Sequence, residues 1–475
     1  MTFHRWVWLP FVVLEMELPV LNQPPTRQTS ARNGKRVYVE TYGCQMNVND
    51  SEIVLGVLDS EGYSVTDTAD DADVILLNTC AIRDNAERKI HERLTHLKYS
   101  KRKNHDLVVG VLGCMAERLR AKLLDTKLVD IVVGPDEYRR VPELVESALG
   151  GDRGIAVKLS RVETYDDVQP LRTEGISGWI SIMRGCDKFC TFCVVPFTRG
   201  RERSRPLSSV VDEAKSLWDK GFKEVTLLGQ NVNSYRDETS GYDFADLLSA
   251  TARAVPNMRI RYTTSHPQDM SDKLIHTMAE WDNICKYIHL PVQSGSNRIL
   301  ELMNRTYTVE HYLERIARIK EAMPHCAMST DIIAGFCTET EADHQHTLDV
   351  MRKVRYEGAY MFAYSPRENT KAWKMGDDVP DEVKNQRLTE IIELQNEISR
   401  ELNAAEAGRI HSVLVEGASK RNAAEWKGRT DTNKTVIFPH DGTAGYVVGD
   451  VVNVVIERGT SATLFGKLLP VAVPT

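Results

Sequence analysis

From Val37 to about Leu149, short apolar runs alternate with stretches whose apolar residues recur at helical spacing. The runs Val37–Thr41, Asp73–Asn78, Leu107–Leu112 and Val129–Val133 read as strands, with Asp50–Ser60, Ile82–Tyr99 and Met115–Leu124 as the helices between them. Asn49, with Glu52 three residues on, has the form of a helix-start capping box. Strand–helix alternation of this kind builds a doubly wound parallel sheet, because each parallel return needs a long crossover. A polar connection from Gly151 to Gly175 follows, and then a longer alternation. Its strands are Trp179–Met183, Glu224–Leu228, Met258–Thr263, Lys286–Leu290, Ala327–Ile333 and Ala359–Phe362; Ser208–Lys220, Asp243–Val255, Val309–Ala322 and Glu341–Val354 are helical. Six such units predict a partial TIM-type (βα)6 barrel, a fold that places its chemistry at the C-terminal strand ends. An amphipathic helix over Asp381–Ala407, with Leu388, Ile391, Ile392, Ile398 and Leu402 on one side, is placed to seal it. The last stretch, Gly408 to Pro470, turns to short β-rich runs (Ser412–Val415, Thr435–Phe438, Val451–Glu457, Thr463–Lys467) broken by Gly417, Gly428 and Asp441-Gly442, which predicts a small β-barrel.

The boundaries read as an extension over 1–35, a first α/β domain over 36–150, a linker over 151–171, the barrel over 172–405 and the end barrel over 408–471. Within the extension, the apolar run Trp6–Leu14 is nine residues long, contains Pro10, and is followed by Glu15 and Glu17. A spanning helix needs about 20 apolar residues, and a signal peptide a small-residue cleavage site. The segment therefore reads as a disordered or mis-started extension, with initiation at Met16, followed by a flexible linker from Leu21 to Lys35.

Length and composition agree with that division. At about 150 residues per domain, 475 residues make three. With 42% hydrophobic residues the chain can bury real cores, and nine cysteines are far too few for a disulfide-stapled secreted scaffold. The net charge is −7, but it is uneven: eight basic and six acidic residues from Gly408 onward give +2, against −9 for the remainder. An acidic total therefore leaves a local nucleic-acid surface open.

Six of the nine cysteines fall into two groups of three. Cys186, Cys190 and Cys193, in GCDKFCTFCVVP, follow the first barrel strand. Thiolates favour zinc or iron–sulfur clusters. Structural zinc takes four ligands, and no fourth Cys or His stands nearby. A [4Fe–4S] cubane held by three cysteines keeps one iron open. Cys44 in TYGCQMN, Cys80 in LLNTCAIRDNA and Cys114 in VLGCMAER each fall just beyond a parallel strand. Those strand ends share one edge, where ligands of open α/β sheets bind. Gly43 and Gly113 precede two of them and would let backbone N–H groups approach a cluster. A disulfide reading leaves an odd thiol and needs an oxidising compartment, so this trio reads as a second three-cysteine cluster. Cys285, Cys326 and Cys337 read as buried structural thiols.

The C-x-x-x-C-x-x-C group resembles the radical S-adenosylmethionine superfamily. Two three-cysteine groups in this order, followed by a small β-barrel, resemble its methylthiotransferase family over nearly all of Val37 to Pro470. The stretches GCQMNVNDSE, NTCAIRDNAERK, CTFCVVPFTRGRERSRP, LPVQSGSNRILELMNRTYT, STDIIAGF and LVEGASKR…EWKGRTDTNKTVIF are most similar to members acting on N6-dimethylallyladenosine in tRNA. The relative that modifies a ribosomal protein has Lys before the Asn where this chain has Met46-Asn47. The resemblance implies an enzyme with two [4Fe–4S] clusters and S-adenosylmethionine as both methyl donor and radical source. The open iron at Cys186, Cys190 and Cys193 would chelate that cosubstrate, and Cys44, Cys80 and Cys114 would present the sulfur. Such a route replaces a C–H bond at adenine C2 that acid–base chemistry cannot reach. It also implies cofactor contacts from Phe192 near the adenine, Gln230 and Asn231 at the methionine amino group, Gln293 and Ser294 at the ribose or carboxylate, and Asp331 in the segment near the adenine. For Phe192 a core aromatic, and for the Gln293-Ser294 turn plain turn chemistry, are the alternatives. The family's Pro-Gly is replaced here by Cys337-Thr338, and its Gly after the last strand by Asn369, leaving both turns open.

RNA contact is expected at two patches. Arg199, Arg201, Arg203 and Arg205 alternate with only Glu202 opposing them, and would hold phosphates or the target nucleotide unless they form an ordinary solvated face. The end barrel resembles a TRAM domain, in which Lys420, Arg421, Trp426, Lys427, Arg429 and Lys434 mix charge with an aromatic for the anticodon stem-loop. The implied partners are tRNA, a flavodoxin or ferredoxin reductant and an iron–sulfur or sulfur carrier, for a cytoplasmic monomer that does not span a membrane. The alternatives are the same chemistry on threonylcarbamoyl-adenosine or on a ribosomal-protein aspartate, a non-catalytic iron–sulfur RNA-binding redox sensor, and a structural zinc protein.

Overall fold

A computed structural model describes residues 32–80, 84–172, 175–440 and 445–469. The extension up to residue 31, the helix start at Ile82 and the turn at Asp441-Gly442 lie outside the described residues. The described residues form two compact units: one within 32–133, 138–156 and 171–172, the other within 134–137, 157–170 and 175–469.

In the first unit, β1 (Arg36–Tyr42), β2 (Ser64–Val65), β3 (Val74–Thr79), β4 (Val108–Gly113), β5 (Ile131–Val133) and β6 (Gly154–Ala156) make one parallel sheet in the order β2-β1-β3-β4-β5-β6. Every residue of β3 and β4 is buried, as suits strands covered on both faces. The edge strands β2 and β6 go unseen in the sequence because two or three residues carry no periodicity, and β6 falls inside the polar connection. The helix Gln45–Ser60 begins five residues before the apolar pattern does. Its N-cap is Cys44, whose backbone N–H donates to Asn47 Oδ1 at 3.3 Å. The capping box expected at Asn49 and Glu52 does not form, since Asn49 lies buried within the helix. The polar first turns are buried through hydrogen bonds instead: Asn78 Nδ2 donates to Asn47 O (2.8 Å) and Ser51 Oγ (2.9 Å), and Thr41 and Ser51 share a bond of 2.7 Å.

In the second unit, β7 (Ser177–Ser181), β8 (Met183–Arg184), β9 (Arg203–Ser204), β10 (Glu224–Leu228), β11 (Arg259–Thr263), β12 (Tyr287–His289), β13 (Ala327–Ala334) and β14 (Gly358–Ala363) follow in order. Parallel sheets β11-β10-β7 and β12-β13-β14 are joined by a parallel bridge from Ile260 to Ile284, giving the six-stranded partial barrel. Its core packs Ile180, Val225, Leu227, Ile260, Ile288, Met328 and Ile332 against the outer helices. Those helices start where the sequence supplies an oxygen: Asp243, Ser271, Ser296, Thr308, Thr340 and Thr370 each cap a first turn. The sealing helix, Asp381–Ala404, buries Ile391 and Ile398, but Ile392 turns off the seam and polar side chains complete it. Gln395 Nε2 donates to Tyr356 O (2.7 Å), Ser399 Oγ to Glu357 O (3.2 Å) and Asn403 Nδ2 to Thr460 O (2.7 Å).

The end barrel closes in the order β15 (Ile410–Ala418), β16 (Glu425–Thr430), β17 (Thr435–Pro439), β19 (Leu464–Leu468), β18 (Val451–Gly459). Strand β16 escapes the sequence pattern because its buried positions are Gly428 and Thr430 rather than large apolar residues. Arg261 fastens β16 to the partial barrel, donating to Thr430 O (2.6 Å), Asp431 O (2.8 Å) and Glu224 Oε2 (2.8 Å). Among the described residues no helix is long and apolar enough to cross a membrane.

Candidate functional site

The loop bearing Cys186, Cys190 and Cys193 leaves the C-terminal end of β7 through β8 and returns through β9. The two short strands pair Met183 with Ser204 and Arg184 with Arg203. Gly185 N donates to Gln230 Oε1 (2.7 Å), Cys186 N to Gly200 O (3.2 Å) and Cys193 N to Cys190 O (3.0 Å). A second segment clamps the loop from above: Thr191 N donates to Met303 O (3.0 Å), Thr191 Oγ1 to Leu302 O (2.9 Å), and Asn304 Nδ2 to the carbonyls of Lys188 (3.2 Å) and Phe189 (3.1 Å). Arg305 Nη1 lies 3.2 Å from Cys190 Sγ. All three thiols are free and half-buried. Burial pushes Cys186 and Cys193 up to about 12, so in the metal-free chain they keep their protons until a metal displaces them.

The other trio owes its meeting to register. Tyr42 pairs with Thr79, and Thr79 with Gly113. Cys44, Cys80 and Cys114 follow those residues by two, one and one positions, so all three stand on one edge of three adjacent strands. Gly113 has φ +88°, and a Cβ there would lie 2.4 Å from Asn78 Oδ1 and 2.8 Å from Thr79 O. At Gly43 (φ +150°) a Cβ would meet Asn47 Oδ1 at 2.5 Å and Cys80 Cβ at 2.9 Å. Both glycines are thus required for the chain to turn this tightly between strand and cysteine. Cys44 is the N-cap of the helix Gln45–Ser60, and Cys114 is the first residue of the short helix Cys114–Leu119.

Of the expected cofactor contacts, Phe192 packs edge-on to Phe336, ring centroids 6.4 Å apart. Asn231 is buried with Nδ2 donating to Asp269 Oδ2 (2.7 Å), and its Oδ1 has no partner among the described residues. Gln293 holds φ +69° and extends the sheet through its backbone, accepting from Ile333 N at 2.9 Å. Ser294 is wholly buried and accepts from Ser296 N (3.2 Å), while Gly295 N donates to Thr347 Oγ1 (2.9 Å). Asp331 Oδ1 faces His289 Nε2 at 3.4 Å, and His289 Nδ1 meets Ser329 Oγ at 2.9 Å. Thr338 (φ +63°) and Asn369 (φ +70°), at the two places where the chain departs from the resembled pattern, both take the left-handed conformation that favours glycine. For β-branched Thr338 this costs about 1–2 kcal/mol.

Two features have no signal in the sequence. Register pairs Asp331 with Tyr360 and Ile333 with Phe362, while Met328 and Ile332 point into the core. Tyr360 and Phe362 therefore share the lumen face with Asp331, and they stay 39% and 43% exposed. In sequence AYMFA is merely a short apolar run. The second is Arg305, an ordinary charge in LMNRTYT until folding buries it.

Folding corrects the arginine patch. Arg199, Arg203 and Arg205 are buried, leaving Arg201 alone exposed, over the Phe189 ring at 4.9 Å. Arg203 Nη2 donates to Asp136 Oδ1 (2.7 Å), and its other nitrogens donate to the carbonyls of Glu163, Arg199 and Arg201. Arg205 donates to Glu213 Oε2 (2.6 Å), Ser209 Oγ (2.6 Å) and Ser181 O (3.1 Å). A charge run shows no burial, so three internal braces read as a surface. In the end barrel, Lys420 and Arg421 are exposed and Trp426 lies 4.3 Å from the His440 ring. Lys427 and Arg429 both pair with Glu416 (2.7 and 2.9 Å), and Lys434 turns inward to Asn403 Oδ1 (2.7 Å), which withdraws it from an RNA surface.

Comparison with known proteins matches the uncharacterized protein family UPF0004 over residues 36–134, the radical SAM superfamily over 180–351 and the TRAM domain over 404–469. A tRNA-2-methylthio-N(6)-dimethylallyladenosine synthase from Chloroherpeton thalassium is 55% identical over 445 residues, 93% of this chain and 98% of its own. One of the same name from Phocaeicola vulgatus is 54% identical over 439 residues, covering 91% and 96%. The chain belongs to the tRNA-2-methylthio-N(6)-dimethylallyladenosine synthase family. Membership of the radical SAM superfamily implies a [4Fe–4S] cluster and S-adenosylmethionine. Among solved structures, the radical S-adenosylmethionine methyltransferase TsrM from Kitasatospora setae superposes with TM-score 0.55 at 15% identity, over 71% of this chain and 77% of its own, a likeness of fold.

Proposed function

We propose that this chain methylthiolates C2 of N6-dimethylallyladenosine beside the anticodon of tRNA, using two [4Fe–4S] clusters. Cys186, Cys190 and Cys193 hold one, and Cys44, Cys80 and Cys114 the other. The observation that carries the reading is the register of β1, β3 and β4, which sets three cysteines distant in sequence on a single sheet edge. Three thiols per site suit a cubane with one open iron, and all six are free of disulfides. When bound, the clusters and S-adenosylmethionine supply the radical that activates the adenine C–H bond, the methyl group and the transferred sulfur.

The chain's own side chains bind and orient. The orphaned Asn231 Oδ1 is an acceptor suited to the methionine ammonium, since an unpaired buried carbonyl costs about 1–3 kcal/mol. Phe192 offers an apolar wall to the adenine, and Tyr360 and Phe362 offer an open aromatic face to a dimethylallyl tail. Exposed Lys420, Arg421 and Arg201 are left to meet phosphates, a smaller basic footprint than the sequence implies. Residues 36–150, 172–405 and 408–471 act as the auxiliary-cluster, radical and RNA-binding domains of a cytoplasmic monomer served by a flavodoxin or ferredoxin and a sulfur carrier.

The test presents anaerobically reconstituted protein with unmodified, dimethylallylated and threonylcarbamoylated anticodon stem-loops and with the ribosomal protein. Methylthio product is expected on the dimethylallylated stem-loop, and product on the ribosomal protein alone overturns the reading. In the same panel Phe362→Ala should reduce the preference for the dimethylallylated over the unmodified stem-loop about tenfold, the scale of lost apolar contacts in a specificity pocket.

A further inference from the structure

The segment that clamps the cysteine loop carries a buried cation with no carboxylate partner. Arg305 is 9% exposed. Its Nε donates to Tyr307 Oη (3.1 Å), its Nη2 to Pro291 O (3.1 Å) and its Nη1 to Cys190 Sγ (3.2 Å). Tyr307 in turn donates to the carbonyls of Pro291 (3.1 Å) and Val292 (2.9 Å), leaving its oxygen free to accept from the guanidinium. Among the described residues no acidic side chain lies within ion-pair reach of Arg305, whereas Arg203, Arg205, Arg261 and Arg387, equally buried, each have one. A buried charge without a counter-charge is costly, and the missing anion has to come from what it faces. It faces the sulfur.

We propose that Arg305 is the counter-ion of the cluster held by Cys186, Cys190 and Cys193, a positioning residue that raises that cluster's reduction potential through its bond to Cys190 Sγ. The inference rests on the reading that this trio holds a cluster. Reduction moves one electron from a low-potential donor, which is oxidised by one electron, onto the cluster; no bond forms or breaks and no proton moves. The cluster gains one negative charge, and a fixed guanidinium stabilises the reduced state more than the oxidised one. Hydrogen bonds to sulfur, net charge and limited solvent access are the levers that set such potentials. Tyr307 and the Pro291 carbonyl hold the guanidinium in place before any electron arrives, so little reorganisation is required.

The experiment compares wild type, Arg305→Lys and Arg305→Met as full chains reconstituted anaerobically, by redox titration against mediators with electron paramagnetic resonance of the reduced cluster that responds to S-adenosylmethionine. Arg305→Met should lower the reduced-to-oxidised ratio at a fixed potential about tenfold, about 59 mV for a one-electron couple. Arg305→Lys should shift less, keeping the charge but losing the fork. The cluster at Cys44, Cys80 and Cys114 should titrate unchanged in all three. An unmoved midpoint in Arg305→Met overturns the proposal. If Arg305→Met retains no cluster, Arg305→Lys decides: retention there supports the counter-ion role, and loss in both variants overturns it. A wild type with no signal responsive to S-adenosylmethionine sinks the underlying cluster reading instead, and the two failures are thereby told apart.

Discussion

Cys80→Ala is expected to lower methylthio product more than about 10³-fold, the scale of losing one member of a catalytic unit, while release of 5′-deoxyadenosine continues. Cys80 is 3% exposed and stands one residue beyond Thr79, the middle member of the Tyr42–Thr79–Gly113 register line. Removing its sulfur leaves two thiols on that edge, too few to hold a cubane with one open iron. The loop of Cys186, Cys190 and Cys193 belongs to the other compact unit and is braced by its own bonds to Leu302, Met303 and Asn304. Its chemistry should therefore survive. Cys190→Ala should abolish both products, because without a radical no C–H bond is activated. Mass spectrometry of nucleosides and of 5′-deoxyadenosine in one reaction separates the cases. Product from Cys80→Ala, or simultaneous loss of both signals in it, contradicts the division of labour.

Arg203→Met should cost about 3–5 kcal/mol of stability, the usual penalty for breaking a buried ion pair, and leave stem-loop affinity of the folded protein unchanged. Arg203 and Asp136 side chains are 4% and 1% exposed, and Arg184 Nε approaches the same carboxylate at 3.7 Å. Every other bond from Arg203 goes to a backbone carbonyl, two of them (Arg199 and Arg201) on the return of the cysteine loop and one (Glu163) in the connection before the barrel. Methionine fills the space but leaves those acceptors unmet. Arg201→Ala is the contrast: its side chain is 62% exposed and its ion pair to Asp187 spans 3.3 Å, so stability should move by less than about 1 kcal/mol. Urea unfolding followed by tryptophan fluorescence reads the first effect, and stem-loop binding the second. Weaker binding by folded Arg203→Met with undiminished stability contradicts this assignment.

The longer strands of the parallel sheets are legible because a strand covered on both faces is mostly apolar, as in Val74–Leu77 of β3 and Val108–Leu112 of β4, whereas the short edge strands β2 and β6 are not. Both cysteine trios are legible for a related reason, since a ligand at a strand end follows directly on an apolar run. Illegible were the places where polar groups are buried by pairing. The first turns of the helix Gln45–Ser60 bury Asn47, Asn49 and Asp50, and the seam of Asp381–Ala404 buries Gln395 and Asn403. These polar positions interrupt the apolar period that marks the rest of each helix. Arg203, Arg205 and Arg305 look in sequence like any solvated arginine, and only the fold supplies Asp136, Glu213 and Cys190 as their partners. Tyr360 and Phe362 fail in the opposite sense: they look like core, yet they stay 39% and 43% exposed on the last barrel strand, with Tyr360 edge-on to His289 at 5.5 Å.

Iron and acid-labile sulfide per chain, measured after anaerobic reconstitution, bear most directly on the two three-cysteine sites. About eight of each are expected in the wild type, and about four in the variant with Cys44, Cys80 and Cys114 all replaced by alanine and in the variant so changed at Cys186, Cys190 and Cys193. A wild type that saturates at about four, or a triple variant that still takes up eight, contradicts the pair of sites on which the proposed chemistry depends.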